Sequence, residues 1–146
     1  MKQVGIYITT TQKCPKPRDG YLGYVLEYWK GQEAETREGF EKAEQVTPHQ
    51  LELMACIKAL KRLKVPCETE ITGDLAWIQA NWENREKWKE NNWKNSKGKE
   101  IKHKELWQQL DQAAEGHKIA FTHRKSHVYS TGILEQIRKQ EEKENR

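Results

Sequence analysis

The chain has no apolar run approaching the roughly 20 residues needed to cross a bilayer. Its start, "MKQVGIY", enters a strand pattern at once, without the apolar core of a signal peptide. A cytoplasmic location with no membrane partner is therefore expected. Cysteine is scarce: Cys14, Cys56 and Cys67 are odd in number and irregularly spaced, which points to neither a disulfide framework nor a zinc site. They are read as free thiols, with Cys56 in the core. Repeats and low-complexity linkers are also missing. With 146 residues, 35% hydrophobic and 33% charged, the chain has the length for one compact domain over 1–146 and not for two.

What is present begins with an uneven charge. The formal net charge is +4, yet Arg85, Lys87, Lys89, Lys94, Lys97, Lys99, Lys102 and Lys104 crowd one segment against only Glu86, Glu90 and Glu100. That stretch alone carries the excess of positive charge, and Trp88 and Trp93 lie inside it. Lysines interleaved with aromatic rings suit a surface that tracks a phosphate backbone. A solvated helix face with tryptophans packed beneath it accounts for the same residues equally well.

The hydropathy pattern gives three strands first, at 3–10, 22–30 and about 34–41, the last with weaker alternation. Pro15, Pro17, Asp19-Gly20 and Gly31 punctuate them as turns of an antiparallel meander. A helix follows with a well-marked start. Thr47 suits its N-cap, Pro48 its first position, and Gln50 completes a capping box. Leu53, Cys56, Ile57, Leu60 and Leu63 then recur at helical spacing, with Lys58, Lys61 and Arg62 opposite. A strand at 67–72, a helix at 74–83, a helix at 103–114, a strand at 118–123 and a polar C-terminal helix or tail over about 131–146, its helical pattern weak, complete the chain. The order predicts an α/β fold: a mixed five-stranded sheet with helices on its faces.

Two carboxylates stand out within that frame. At 100° per residue Glu52 falls near the edge of the apolar face of its helix, pointing toward the sheet. A carboxylate there is costly unless a cation meets it, and a metal ion is a common solution; acidic residues are also frequent in first helical turns for purely structural reasons. Asp74, in "ITGDLAWI", stands where a strand gives way to a helix, a place that lines ligand crevices in α/β sheets. It equally suits a plain N-cap.

Taken together, these segments resemble the type 1 ribonuclease H family. "PHQLELMACIKAL" is similar to its glutamate helix and "ITGDLAWI" to its Thr-Asp-Ser strand end. "WKENNWKNSKGKEIKHKELWQQL" is similar to its basic protrusion and following helix, and "RKSHVY" to its Lys-Gly-His loop. The resemblance implies a ribonuclease H-like fold in which four carboxylates hold two Mg²⁺ ions (Mn²⁺ as the alternative) and cleave the RNA strand of an RNA/DNA hybrid. Two ions about 4 Å apart stabilise the attacking and leaving oxygens. Carried over residue by residue, Glu52 and Asp74 match two metal-binding and catalytic carboxylates, with Gly73 a competing match for Asp74, and His127 matches the loop histidine. Thr47 matches a position near the DNA-strand phosphate. Lys87, Trp88, Lys89, Trp93 and Lys94 match the protrusion that grips nucleic acid.

The departures from the family pattern lie at the site itself. The first strand ends "YITTT", which puts Thr9 where the family has its bridging carboxylate, and "QKCPKPRDG" replaces the glycines that follow. The fourth carboxylate, expected about ten residues beyond the histidine, falls near Ile137. Glu135 is the nearest substitute, about 200° away around a helix. About +4 of metal charge would then face only about −2 of protein charge. The expected function is a ribonuclease H-like nucleic-acid-binding protein for RNA/DNA hybrid or duplex with hydrolysis lost or weak, and with Mg²⁺ or Mn²⁺ bound only if activity survives. One alternative is an active hybrid endonuclease completed by Asp19, Glu135 or a partner chain. Another is a noncatalytic protein-interaction module on the same scaffold, its protein partner unspecified.

Overall fold

The computed structural model describes all residues, Met1–Arg146. Strands β1 (Lys2–Thr10), β2 (Arg18–Lys30) and β3 (Glu33–Val46) form the meander. Helix α1 (Pro48–Leu60) leads to β4 (Cys67–Gly73), followed by α2 (Ala76–Asn81), a single 3₁₀ turn at Trp82–Asn84 and α3 (Arg85–Glu90). Helix α4 (Lys104–Ala114), β5 (Lys118–His123) and α5 (Ser130–Glu144) complete the chain. The sheet runs β3-β2-β1-β4-β5, antiparallel from β1 to β3 and parallel across β1, β4 and β5. This is the mixed five-stranded sheet the sequence predicts.

The layers follow from side-chain alternation. Val4, Ile6 and Ile8 of β1 are buried in the main core with Leu22 and Leu26 of β2, beneath Leu53, Cys56, Ile57 and Leu60 of α1. Trp107 and Leu110 of α4 close that layer. On the opposite face of β2, Tyr21 and Val25 meet Ile133 and Ile137 of α5 in a smaller cluster. Helices therefore cover both faces, and β2 lies under both layers. Each fully buried aliphatic side chain contributes about 1.5–3 kcal/mol.

Several boundaries differ from the sequence reading for physical reasons. Strand β3 runs to Val46 because it pairs along nearly the whole length of β2, although it is an edge strand with few buried positions. The C-terminal stretch, read as a polar helix or tail, is helix throughout Ser130–Glu144, with only Ile133 and Ile137 buried. Its exposed side is tied by Arg138 to Glu135 at 3.0 Å and to Glu142. Helix α2 begins at Ala76 rather than residue 74, and its N-cap, Leu75, supplies no side-chain bond. The capping box of α1 is present as the sequence predicts, with Thr47 and Gln50 bonding reciprocally.

Candidate functional site

The three threonines at the end of β1 each have a separate partner. Thr9 Oγ1 lies 3.2 Å from His127 Nε2, Thr10 Oγ1 accepts from Lys13 Nζ at 3.0 Å, and Thr11 Oγ1 accepts from the Tyr21 backbone at 2.9 Å. The strand end adjoins two cavities. Ile8, Thr9, Thr10, Lys13, Asp74, Leu75, Lys125, Ser126, Ser130 and Leu134 line the first, of about 160 Å³. Lys13 and Asp74 also line the second, about 370 Å³, with Glu52, His49 and Trp77. Thr9 and Glu52 thus line separate cavities that share Lys13 and Asp74.

Gly73 has no side chain to offer at the strand end. A Cβ on it would sit 2.8 Å from the Ile8 carbonyl oxygen, so the adjacent Asp74 supplies the side chain that opens into both cavities. The Asp74 carboxylate caps no helix. One oxygen faces Lys13 Nζ at 3.5 Å and the other faces His123 Nδ1 at 3.6 Å, the second too long for a hydrogen bond. Glu52 is 7% exposed. Burial pushes its carboxyl up to about 7, with Lys13 pulling it down and Asp74 adding to the rise.

His127 is fully committed. Its Nδ1 accepts from the Tyr129 backbone N–H at 3.2 Å, which assigns the ring proton to Nε2, where it donates to the Ile8 carbonyl at 2.8 Å with Thr9 Oγ1 beside it. Burial holds its pKa below the usual range, against the opposing bond to Ile8. The ring also packs on Tyr7. His127 therefore ties the loop to the end of β1 through both ring nitrogens.

Helix α5 turns Ser130 and Leu134 toward Thr9. Ile137 is instead buried at 1% exposure beneath the sheet, and Glu135 is exposed and paired with Arg138. Asp19 is also elsewhere, accepting from the backbone and side chain of Gln45 at 3.1 Å. No three His, Cys, Asp or Glu side chains converge anywhere to hold a metal ion. An ammonium beside Asp74 and a hydroxyl at Thr9 leave two carboxylates for any cation. These residues do not fit a pair of Mg²⁺ ions.

Lys13 is a residue of the site that the sequence reading missed. Its loop is held by Gln12, 5% exposed, whose Nε2 lies 2.9 Å from the carbonyls of Cys14, Lys16 and Val46 and whose Oε1 accepts from the Cys14 N–H. Gly20 makes room for it, since a Cβ there would fall 2.6 Å from Gln12 Cβ. The replacement of glycines by "QKCPKPRDG" was the available signal, though nothing local fixed where Lys13 would point. His49 and Trp77, stacked 4.0 Å apart at 4° beside Glu52, were missed too.

The basic segment divides. Trp88 and Trp93 are half-buried against the main core, and Trp88 meets Trp107 edge-on at 5.1 Å. Lys89 reaches Asp111 of α4 at 2.8 Å and Arg85 reaches it at 2.5 Å, while Lys104 reaches Glu100 at 2.9 Å. Lys87, Lys94, Lys97, Lys99 and Lys102 take part in no ion pair. Thr47 spends its hydroxyl on the capping box. The tryptophans form the floor, and the free lysines are the exposed charge.

Comparison with known proteins agrees with this architecture. The sequence profile of the family described as RNase H matches residues 2–137. Ribonuclease H of Acetivibrio thermocellus is 42% identical over 132 residues, covering 87% of this chain and 84% of that protein. Ribonuclease H of Actinobacillus pleuropneumoniae is 39% identical over 131 residues, covering 87% and 80%. Among solved structures, LC9-RNase H1, a type 1 RNase H with the type 2 active-site motif, superposes with a TM-score of 0.77 at 19% identity over 93% of this chain and 70% of that one. LC11-RNase H1, in complex with RNA/DNA hybrid, does so with a TM-score of 0.62 at 15% identity, over 90% and 93%. With its sheet order, its paired helical layers and a profile match across nearly its whole length, the chain belongs to the RNase H family.

Proposed function

We propose that this protein binds RNA/DNA hybrid, or a duplex of similar shape, and hydrolyses it weakly or not at all. The observation that carries the reading is the donor set of the two cavities that share Lys13 and Asp74. Glu52 and Asp74 are its only carboxylates, α5 contributes Ser130 and Leu134, and Lys13 already faces Asp74. A hydroxyl at Thr9 is neutral and a weak ligand for a hard dication beside a carboxylate. Two-metal catalysis needs both ions held to stabilise attacking and leaving oxygens, and this set lacks the charge to hold them. Any residual cleavage would depend on Mg²⁺ or Mn²⁺ held through Glu52 and Asp74.

Binding is supported separately, by the unpaired lysines 87, 94, 97, 99 and 102 displayed over a tryptophan floor, and by the relative whose structure contains an RNA/DNA hybrid. Lysines neutralising phosphates release counterions, so affinity falls with salt. A gel shift with labelled hybrid in EDTA tests this half of the proposal. Retained binding at low salt that weakens steeply as salt rises is expected. No complex at low salt would remove the nucleic-acid reading and favour a protein-interaction role.

A further inference from the structure

The sign of the charge at the end of β1 carries a consequence beyond the loss of metal ligands. A site of several carboxylates repels a backbone phosphate until cations intervene. Here two ammonium groups, Lys13 and Lys125, share a cavity with the single carboxylate Asp74 and the hydroxyls of Thr9, Thr10, Ser126 and Ser130. We propose that Lys13 makes this cavity a metal-independent site for one backbone phosphodiester of the bound nucleic acid, its ammonium standing in for a metal ion. This rests on the nucleic-acid reading above and deepens it.

The donor inventory is favourable. An ammonium has three N–H donors; Lys13 gives one to Thr10 Oγ1 at 3.0 Å and directs one toward Asp74 Oδ2 at 3.5 Å, leaving the third for a ligand. Thr9 receives the His127 ring and Ser130 Oγ accepts from the His127 N–H at 2.9 Å, so each hydroxyl keeps its own proton to donate. Charge-assisted bonds from ammonium to phosphate are among the stronger hydrogen bonds in proteins. The Lys13 side chain is 53% exposed, so a phosphate can reach it. The Gln12 bonds that anchor the loop fix its starting point. Asp74 holds the ammonium in place and competes with the phosphate for it.

That competition provides the test. Binding of a short labelled RNA/DNA hybrid is followed by fluorescence anisotropy over a KCl series, in EDTA and in Mg²⁺ at matched ionic strength. The wild type is expected to bind no more tightly in Mg²⁺ than in EDTA. Lys13→Met should weaken binding about tenfold at low salt and lower the salt slope by about 0.9, the loss of one phosphate contact. Lys13→Arg should retain binding, and Asp74→Asn should tighten it by freeing the ammonium. Thermal melts of each variant verify folding, which an exposed lysine does not govern. Tighter wild-type binding in Mg²⁺, or wild-type affinity and slope in Lys13→Met, overturns the phosphodiester site while leaving hybrid binding intact. No binding by the wild type at low salt overturns both readings together.

Discussion

Replacing Glu52 with glutamine should stabilise the protein at alkaline pH and leave it nearly unchanged in acid. Glu52 is buried between Leu51 and Leu53, and burial raises its carboxyl from 4.5 to about 7, with Lys13 opposing and Asp74 reinforcing. Over that interval the native state binds more protons than the unfolded state, so stability falls as pH rises from about 4.5 through 7. At 1.36 kcal/mol per pKa unit, the charged form costs about 3 kcal/mol by pH 8. Glutamine keeps the shape and removes the charge. His49, His103 and His127 are held below their ordinary range, chiefly by burial, and act with the opposite sign: stability rises as pH climbs through the folded pKa toward 6.5. Their slope is common to both proteins and cancels in the difference. Paired melts across pH 5 to 8.5 should show the Glu52→Gln curve rising above wild type with pH, by on the order of 10 °C at the alkaline end. A difference that stays flat with pH, or a variant melting lower at pH 8, would refute the raised carboxyl of Glu52.

Three further outcomes follow from individual contacts. Ile137→Ala should cost about 2–5 kcal/mol in urea denaturation, because Ile137 is 1% exposed against Tyr21, Val25 and Ile133; a negligible loss would mean that α5 is not docked. Thr47→Ala should cost about 1 kcal/mol by removing the capping box of α1, with no change in the salt slope of hybrid binding; a changed slope would return Thr47 to the phosphate interface. Lys87→Ala with Lys94→Ala should lower that slope by about 2, whereas Lys89→Ala, whose ammonium is held by Asp111, should change it little. Equal effects at all three positions would contradict the division of the basic segment.

Most of the fold was legible because its signals are local. Thr47, Pro48 and Gln50 announce α1 through bonds that close within four residues, and the alternation of β1 records one buried face. Strand β3 was truncated in the sequence reading because an edge strand exposed on most positions leaves little hydropathy signal. The sequence signal for helix α5 is weak because only two of its residues are buried and its exposed side is held by ion pairs. At the site, Glu52 and Asp74 stand at the start of a helix and the end of a strand, where pattern points to them. Lys13 was invisible for the opposite reason: its loop takes its course from a Gln12 bond to Val46, 34 residues away, and no periodicity records that. Trp88 and Trp93 look like a binding surface in sequence, while the packing of Trp107 beneath them is a long-range fact.

The proposed function requires this protein to hold hybrid without the charge needed for two-metal hydrolysis. Single-turnover cleavage of a labelled RNA/DNA hybrid, with protein in excess and above its binding midpoint, tests it directly in Mg²⁺ and in Mn²⁺. Saturated binding with cleavage far slower than about 1 per second, in both metals, is the predicted result. Cleavage at or above that rate, abolished in Glu52→Gln, would contradict it.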